Sequence, residues 1–115
     1  GATESGAART TTGKIPVLTQ IPLRALVEDA ARREQRGQVA EAVQMLERAQ
    51  QQYPGSAEVY NRLGSLYARH FHDYTSAEWY VRKALEISPG NPTYFTNLTK
   101  IISKASIEDT GPAKT

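Results

Sequence analysis

The densest run of side chains able to do chemistry is His70-Phe71-His72-Asp73. Two imidazoles two residues apart, with a carboxylate beside them, are the donor types that hold zinc or nickel. A closed zinc site takes four ligands, and the chain has no cysteine and no third histidine to complete the set. No metal is expected there. The run reads instead as a surface turn with Phe71 tucked toward the core. Nucleophilic chemistry is no better served. No serine stands in a Gly-x-Ser-x-Gly setting, and the glycine signatures of phosphate loops are absent. Carboxylates such as Glu41 and Glu47 fall on solvent-facing helix positions. With no activated constellation, neither a reaction nor a cofactor is expected.

The 115 residues fit one small domain. Apolar residues make up 39% and charged residues 23%, with a mean hydropathy of −0.53. No apolar run is long enough to span a bilayer. Fourteen Lys and Arg face twelve Asp and Glu, for a net charge of +2. That balance does not single out nucleic acid as a partner. The absence of cysteine leaves the redox compartment open. Residues 1–15 are rich in Gly, Ser, Thr and Ala and are expected to be a disordered linker. No signal-peptide pattern lies within them, and both a cytoplasmic and an exported or anchored origin suit such a linker. Residues 107–115 are expected to be a disordered tail. The domain proper is placed at 16–106.

Within it, apolar spacing of three and four residues marks five helices and no strand. The first covers 22–36, with Pro22 at its start and Gly37 as its stop. The second covers 38–53 and ends at Pro54. Ser56 caps the third, which carries Val59, Tyr60, Leu63, Leu66 and Tyr67. Asp73 or Thr75 starts the fourth, and Pro89 stops it. Asn91 and Pro92 open the fifth, which is expected to bury Tyr94, Phe95, Leu98, Ile101, Ile102 and Ala105.

The chain also repeats itself. A shift of about 34 residues maps Leu26 onto Tyr60 and Ala30 onto Gly64. A shift one residue longer maps Ala42 onto Ala77, Leu46 onto Val81, Ala49 onto Ala84, Pro54 onto Pro89 and Tyr60 onto Phe95. The change of offset places a one-residue insertion in the turn at Arg69–His72. Small residues at Ala30, Gly64, Ala42, Ala77, Ala49 and Ala84 mark close helix approaches. In the second unit Glu78 replaces the apolar Val43 of the first, which rotates apolar weight toward Trp79. Trp79 is expected to pack under the inserted turn. The alternative is an exposed aromatic patch of Trp79 and Tyr80, of the kind that anchors interfaces.

The pattern Tyr60-x-x-Leu63-Gly64-x-x-Tyr67, followed by Ala77, Val81, Ala84 and Pro89, resembles the tetratricopeptide repeat family. The first unit keeps Leu26, Ala30, Gly37, Ala42, Leu46, Ala49 and Pro54. It departs from the family at Asp29 and Arg33. The resemblance implies an all-α solenoid of helical hairpins in a right-handed superhelix. Two units, about 22–55 and 56–90, would be followed by a capping helix at about 91–105. It further implies that the first helix of each unit lines a concave groove for a partner peptide. On this chain the groove residues would be Val27, Ala31 and Glu34, then Glu58, Asn61, Ser65 and Arg69, then Thr96, Lys100 and Lys104. Ser65 stands where some members of the family carry the asparagine of a carboxylate clamp, so that clamp is not expected. The basic end formed by Arg69, Lys100 and Lys104 suits an acidic or C-terminal carboxylate ligand. The implied function is protein–protein interaction with a partner segment or a second copy. The alternatives are a structural or assembly accessory role and RNA binding by a related helical repeat, for which the chain lacks a basic stripe interleaved with aromatics. The apolar stretch Ile15-Pro16-Val17-Leu18 is expected to lie extended along the first helices, in its own chain or a second copy.

Overall fold

The computed structural model describes residues 20–109, and these form five α-helices with no strand among them. The helices are α1 (Leu23–Gln35), α2 (Val39–Gln52), α3 (Ala57–Phe71), α4 (Tyr74–Ile87) and α5 (Pro92–Asp109). Each packs on the next in chain order, and α3 also touches α5, as stacked antiparallel hairpins require. The linker at 1–15, the Ile15–Leu18 stretch and residues 110–115 lie outside the described residues.

Local chemistry sets the helix ends. At the end of α1, Gly37 adopts φ 79 and completes a Schellman turn. Its N–H donates to the Glu34 carbonyl at 3.0 Å, and the Gln38 N–H donates to the Arg33 carbonyl at 2.8 Å. Pro22 sits at the N-cap of α1, one residue before the first helical position expected for it. Ser56 caps α3 by accepting from the Val59 N–H. Of the two candidate starts for α4, Asp73 is the cap and accepts from the Ser76 N–H at 3.1 Å. Asn91 caps α5, its side-chain oxygen accepting from the Thr93 and Tyr94 N–H groups at 2.9 and 3.1 Å. Ahead of α1, Ile21 is tied to the end of α2. Its N–H donates to Gln52 at 3.3 Å and its carbonyl accepts from the Tyr53 hydroxyl at 2.7 Å.

Two sequence expectations shift here. The inserted residue does not lengthen a turn. It lengthens the helix, so Arg69, His70 and Phe71 are helical and α3 has 15 residues against 13 in α1. His72 then takes a left-handed conformation, φ 53, and the connection to α4 is only His72 and Asp73. As a result Phe71 is not tucked into the core. It is 47% exposed, with its ring 5.5 Å from that of Tyr67. The last helix also continues past 105 to Asp109, so residues 107–109 are helical rather than part of a tail. A hydrogen bond from the Tyr74 hydroxyl to Glu108, at 2.8 Å, fastens this extra turn to the start of α4.

The core is apolar throughout, with no buried polar or charged residue among those described. Leu26, Leu46, Leu63, Val59 and Val81 fill it. Ala42, Ala49, Ala77 and Ala84 are fully buried at the close approaches, and Gly64 and Ala30 are buried beside them. Asp29 and Arg33, the two departures in α1, answer each other with a hydrogen-bonded ion pair at 3.0 Å. Polar replacements four residues apart on one helix face satisfy one another without a core partner. On α5 the structure corrects the expected burial. Leu98 and Ile101 are buried, but Phe95 is 64% and Ile102 41% exposed. Both lie on the side where a further antiparallel helix would stand, and none is present there among the described residues.

Candidate partner-binding groove

The first helices of the hairpins, α1 and α3, and the single helix α5 line one continuous concave face. Its main cleft has a volume of about 460 Å³ and is walled by Glu34, Glu58, Asn61, Arg62, Ser65, Arg69 and Tyr94, among others. Next to it Asn61, Ser65, Thr96, Asn97 and Lys100 line a second hollow of about 400 Å³. A third, of about 210 Å³, runs from Ser65 and Arg69 to Lys100, Ile101 and Lys104. The spacing of three and four residues along each helix places these side chains on the same face.

Ion pairs between neighbouring hairpins decide which charges are available. Arg24 of α1 grips Glu58 of α3 with two hydrogen bonds, at 2.6 and 3.3 Å, and Arg62 holds the same carboxylate at 3.0 Å. Glu34 of α1 accepts from Arg69 and pairs with His70 at 2.9 Å. Arg69 is therefore already neutralised. Lys100 and Lys104 have no ion-pair partner among the described residues. Polar recognition groups sit between the two charge systems. The Asn97 amide donates to Asn61 at 2.9 Å and to Ser65 at 3.0 Å, joining α5 to α3 across the groove floor.

The carboxyls of both inter-hairpin pairs are displaced. Hydrogen bonding from Arg24 holds Glu58 below the ordinary carboxylate value, against partial burial and with help from Arg62. Partial burial pushes Glu34 up, but His70 and Arg69 together outweigh it and hold it low as well. A depressed carboxyl stabilises the fold above its unfolded value and loses that contribution as pH falls through the folded one. The melting temperature should accordingly drop as pH falls below about 4.5. The double variant E34Q/E58Q should flatten that drop, by about 1 kcal/mol per pair at most, since the pairs are partly exposed. Parallel acid melts of variant and parent would contradict the assignment.

A model of the tetratricopeptide repeat matches residues 24–66, from the first turn of α1 to Leu66 in α3. Residues 24–66 carry the signature of a tetratricopeptide repeat. A search of curated proteins found no match. The matched segment spans the first hairpin and about two thirds of the next helix, so the departures at Asp29 and Arg33 do not remove the signature. A repeat of this kind is in general a protein–protein interaction module.

Glu58, Asn61, Ser65 and Arg69 share the main cleft, and Thr96, Lys100 and Lys104 extend it along α5. Val27 is corrected. It is 1% exposed and belongs to the core beneath the cleft, where it offers a partner almost no surface. Its apolar character matched the α1 core face, and that face prevailed. Sequence reasoning missed Asn97, Arg62 and Tyr94. Asn97 stood unremarked between Thr96 and Leu98 on α5, yet it lies 36 residues, about one period, after Asn61.

Trp79 and Tyr80 stand apart from the cleft. Trp79 is 52% exposed and does not pack under the inserted turn, because that residue went into α3. Its ring stands edge-on to Tyr80 at 5.2 Å, with the Lys83 ammonium 5.4 Å above it. Tyr80 is half-buried and stacks on Tyr67 at 5.4 Å. The two histidines diverge as well. His70 turns to Glu34, while His72 meets the Tyr74 hydroxyl and Glu108. No group of three or more metal-donor side chains occurs among the described residues. No helix there is long and apolar enough to cross a membrane.

Proposed function

We propose that the module binds an extended segment of another protein in the concave groove, with an acidic stretch or C-terminal carboxylate of that segment over Lys100 and Lys104. One observation carries this reading. The cations at the α1–α3 end of the groove are spent on Glu34 and Glu58, whereas the two lysines at the α5 end are not. A charged ligand gains most where the protein's own charges are uncompensated. Between the ends, Asn61, Ser65 and Asn97 offer amide and hydroxyl groups of the kind that pair with a peptide backbone. The ordered cleft spares the protein any folding cost on binding. No reaction is involved, and affinity comes from shape and charge.

A display library of random peptides, selected on the full chain, tests the proposal. Selected sequences should be enriched in Asp and Glu or bind through a free C-terminus, and their affinity should fall with added salt. Enrichment in basic or purely apolar peptides with salt-insensitive binding would sink it.

A further inference from the structure

We propose that the outer face of α5 is a self-association surface, on which the α5 of a second copy packs antiparallel about a two-fold axis. This face borders the α5 end of the groove and goes beyond the reading above.

The internal repeat shows what the face is built for. Phe95 and Ile102 lie one period after Tyr60 and Tyr67 of α3. In the second hairpin those two tyrosines are covered by the antiparallel helix α4. The ring of Tyr80 lies 6.4 Å from Tyr60 and 5.4 Å from Tyr67. On α5 the equivalent Phe95 is 64% and Ile102 41% exposed. Among the described residues the face has the form of a hairpin half without its partner helix, where an uncovered solenoid helix ordinarily turns a polar side outward.

Segments of this chain outside the described residues are poor candidates to fill it. Residues 110–115 carry Gly111-Pro112, which ends helices, and no large apolar side chain. The one apolar run in residues 1–19 is Ile15-Pro16-Val17-Leu18, which contains a proline and has no helical spacing. A second α5 fits better, for three reasons. Positions 95, 99, 102 and 106 recur at the four-three-four spacing of a coiled-coil seam, so the face is complementary to its own copy. The exposed residues at and beside the seam, Thr96, Thr99 and Ser103, are uncharged, while Lys100 and Lys104 line both the groove hollows and a hollow shared with Phe95 and Thr99. The helical period sets both lysines well round α5 from the 95–99–102–106 seam, so a two-fold places uncharged residues at its centre and the lysines at its outer edge. Head-to-tail stacking is disfavoured, because the exposed side of α1 at the other end carries Arg24, Glu28 and Arg32. With the axis between Thr99 and Ile102, Phe95 of each copy lies near the C-terminal turn of the other.

The seam runs for about 16 Å, and the contact falls near the small end of specific interfaces, about 1,000 Å² in total. The dimer should therefore be weak and concentration-dependent. Sedimentation of the full chain from about 5 µM to about 500 µM should show mass rising toward two copies. F95K/I102K, both at exposed positions, should remain monomeric over that range with unchanged helical circular dichroism. Because the chain has no cysteine, T99C gives a second arm. Mild oxidation should cross-link it several-fold faster than Q44C, placed on the exposed side of α2. A monomer at every concentration, a dimer indifferent to F95K/I102K, or equal cross-linking of the two cysteine variants would overturn the proposal.

Discussion

Gly64→Ala should lower the melting temperature by about 5–15 °C, an unusual outcome for a mid-helix glycine. In an isolated helix the same change stabilises by up to about 1 kcal/mol, because alanine loses less backbone entropy. Here a Cβ at position 64 would stand 2.5 Å from the Val81 Cγ2 and 2.9 Å from the Ala77 carbonyl oxygen. The second contact is with backbone, which cannot rotate away, so α3 and α4 must separate. Overpacking of this kind costs about 1–3 kcal/mol. The net loss of about 1–2 kcal/mol moves the midpoint of a domain this size by roughly 4–8 °C per kcal/mol. Ala84→Leu, at a site with no exposure, should cost more and loosen the same hairpin. Gly55→Ala and Gly90→Ala, whose added Cβ meets nothing within 4 Å, are the controls and should change the melt little. A stabilised Gly64→Ala protein would show that α3 and α4 are not in contact through this glycine.

Lys100→Glu with Lys104→Glu should weaken the binding of an acidic partner segment by about 100-fold, some 3 kcal/mol. Two attractive charges become repulsive at a part of the groove where no described residue supplies a counter-charge. Both side chains are exposed, so helical circular dichroism should not change. Arg69 is better left in place. Its reversal would set a carboxylate against Glu34, which now pairs with it, and would confuse a binding defect with a loosened α1–α3 contact. Isothermal titration with a selected acidic peptide reads the effect. Undiminished affinity would move the site to another surface, such as that around Trp79.

The helices and the repeat were legible because they rest on local rules. Apolar spacing, the caps at Ser56 and Asp73, the turn at Gly37 and the small residues at Ala42, Ala77 and Gly64 each speak for themselves. The groove charges were half legible. Residue types showed Arg69, Lys100 and Lys104 as one basic end, but not that Glu34 consumes the first of them. A signal was present. Arg24 and Glu58 are 34 residues apart, Glu34 and Arg69 are 35, and Asn61 and Asn97 are 36. In a stacked repeat, residues one period apart are neighbours, so opposite charges or paired amides at that separation mark contacts between units. What periodicity cannot tell is whether a neighbour exists. Phe95 and Ile102 show a proper helical spacing, yet they are exposed because no helix among the described residues lies against that side of α5. Phe71 and Trp79 were misplaced for a related reason. One inserted residue can extend a turn or a helix, and the left-handed conformation at His72 settled it in favour of the helix.

Backbone amide shifts of the isotope-labelled full chain, followed while a selected acidic peptide is added, test the groove assignment most directly. The expected perturbations concentrate at Asn61, Ser65, Asn97, Lys100 and Lys104, on α3 and α5, and disappear with the double lysine variant. Perturbations centred instead on Trp79 and Phe71, or on the exposed side of α2, would contradict it.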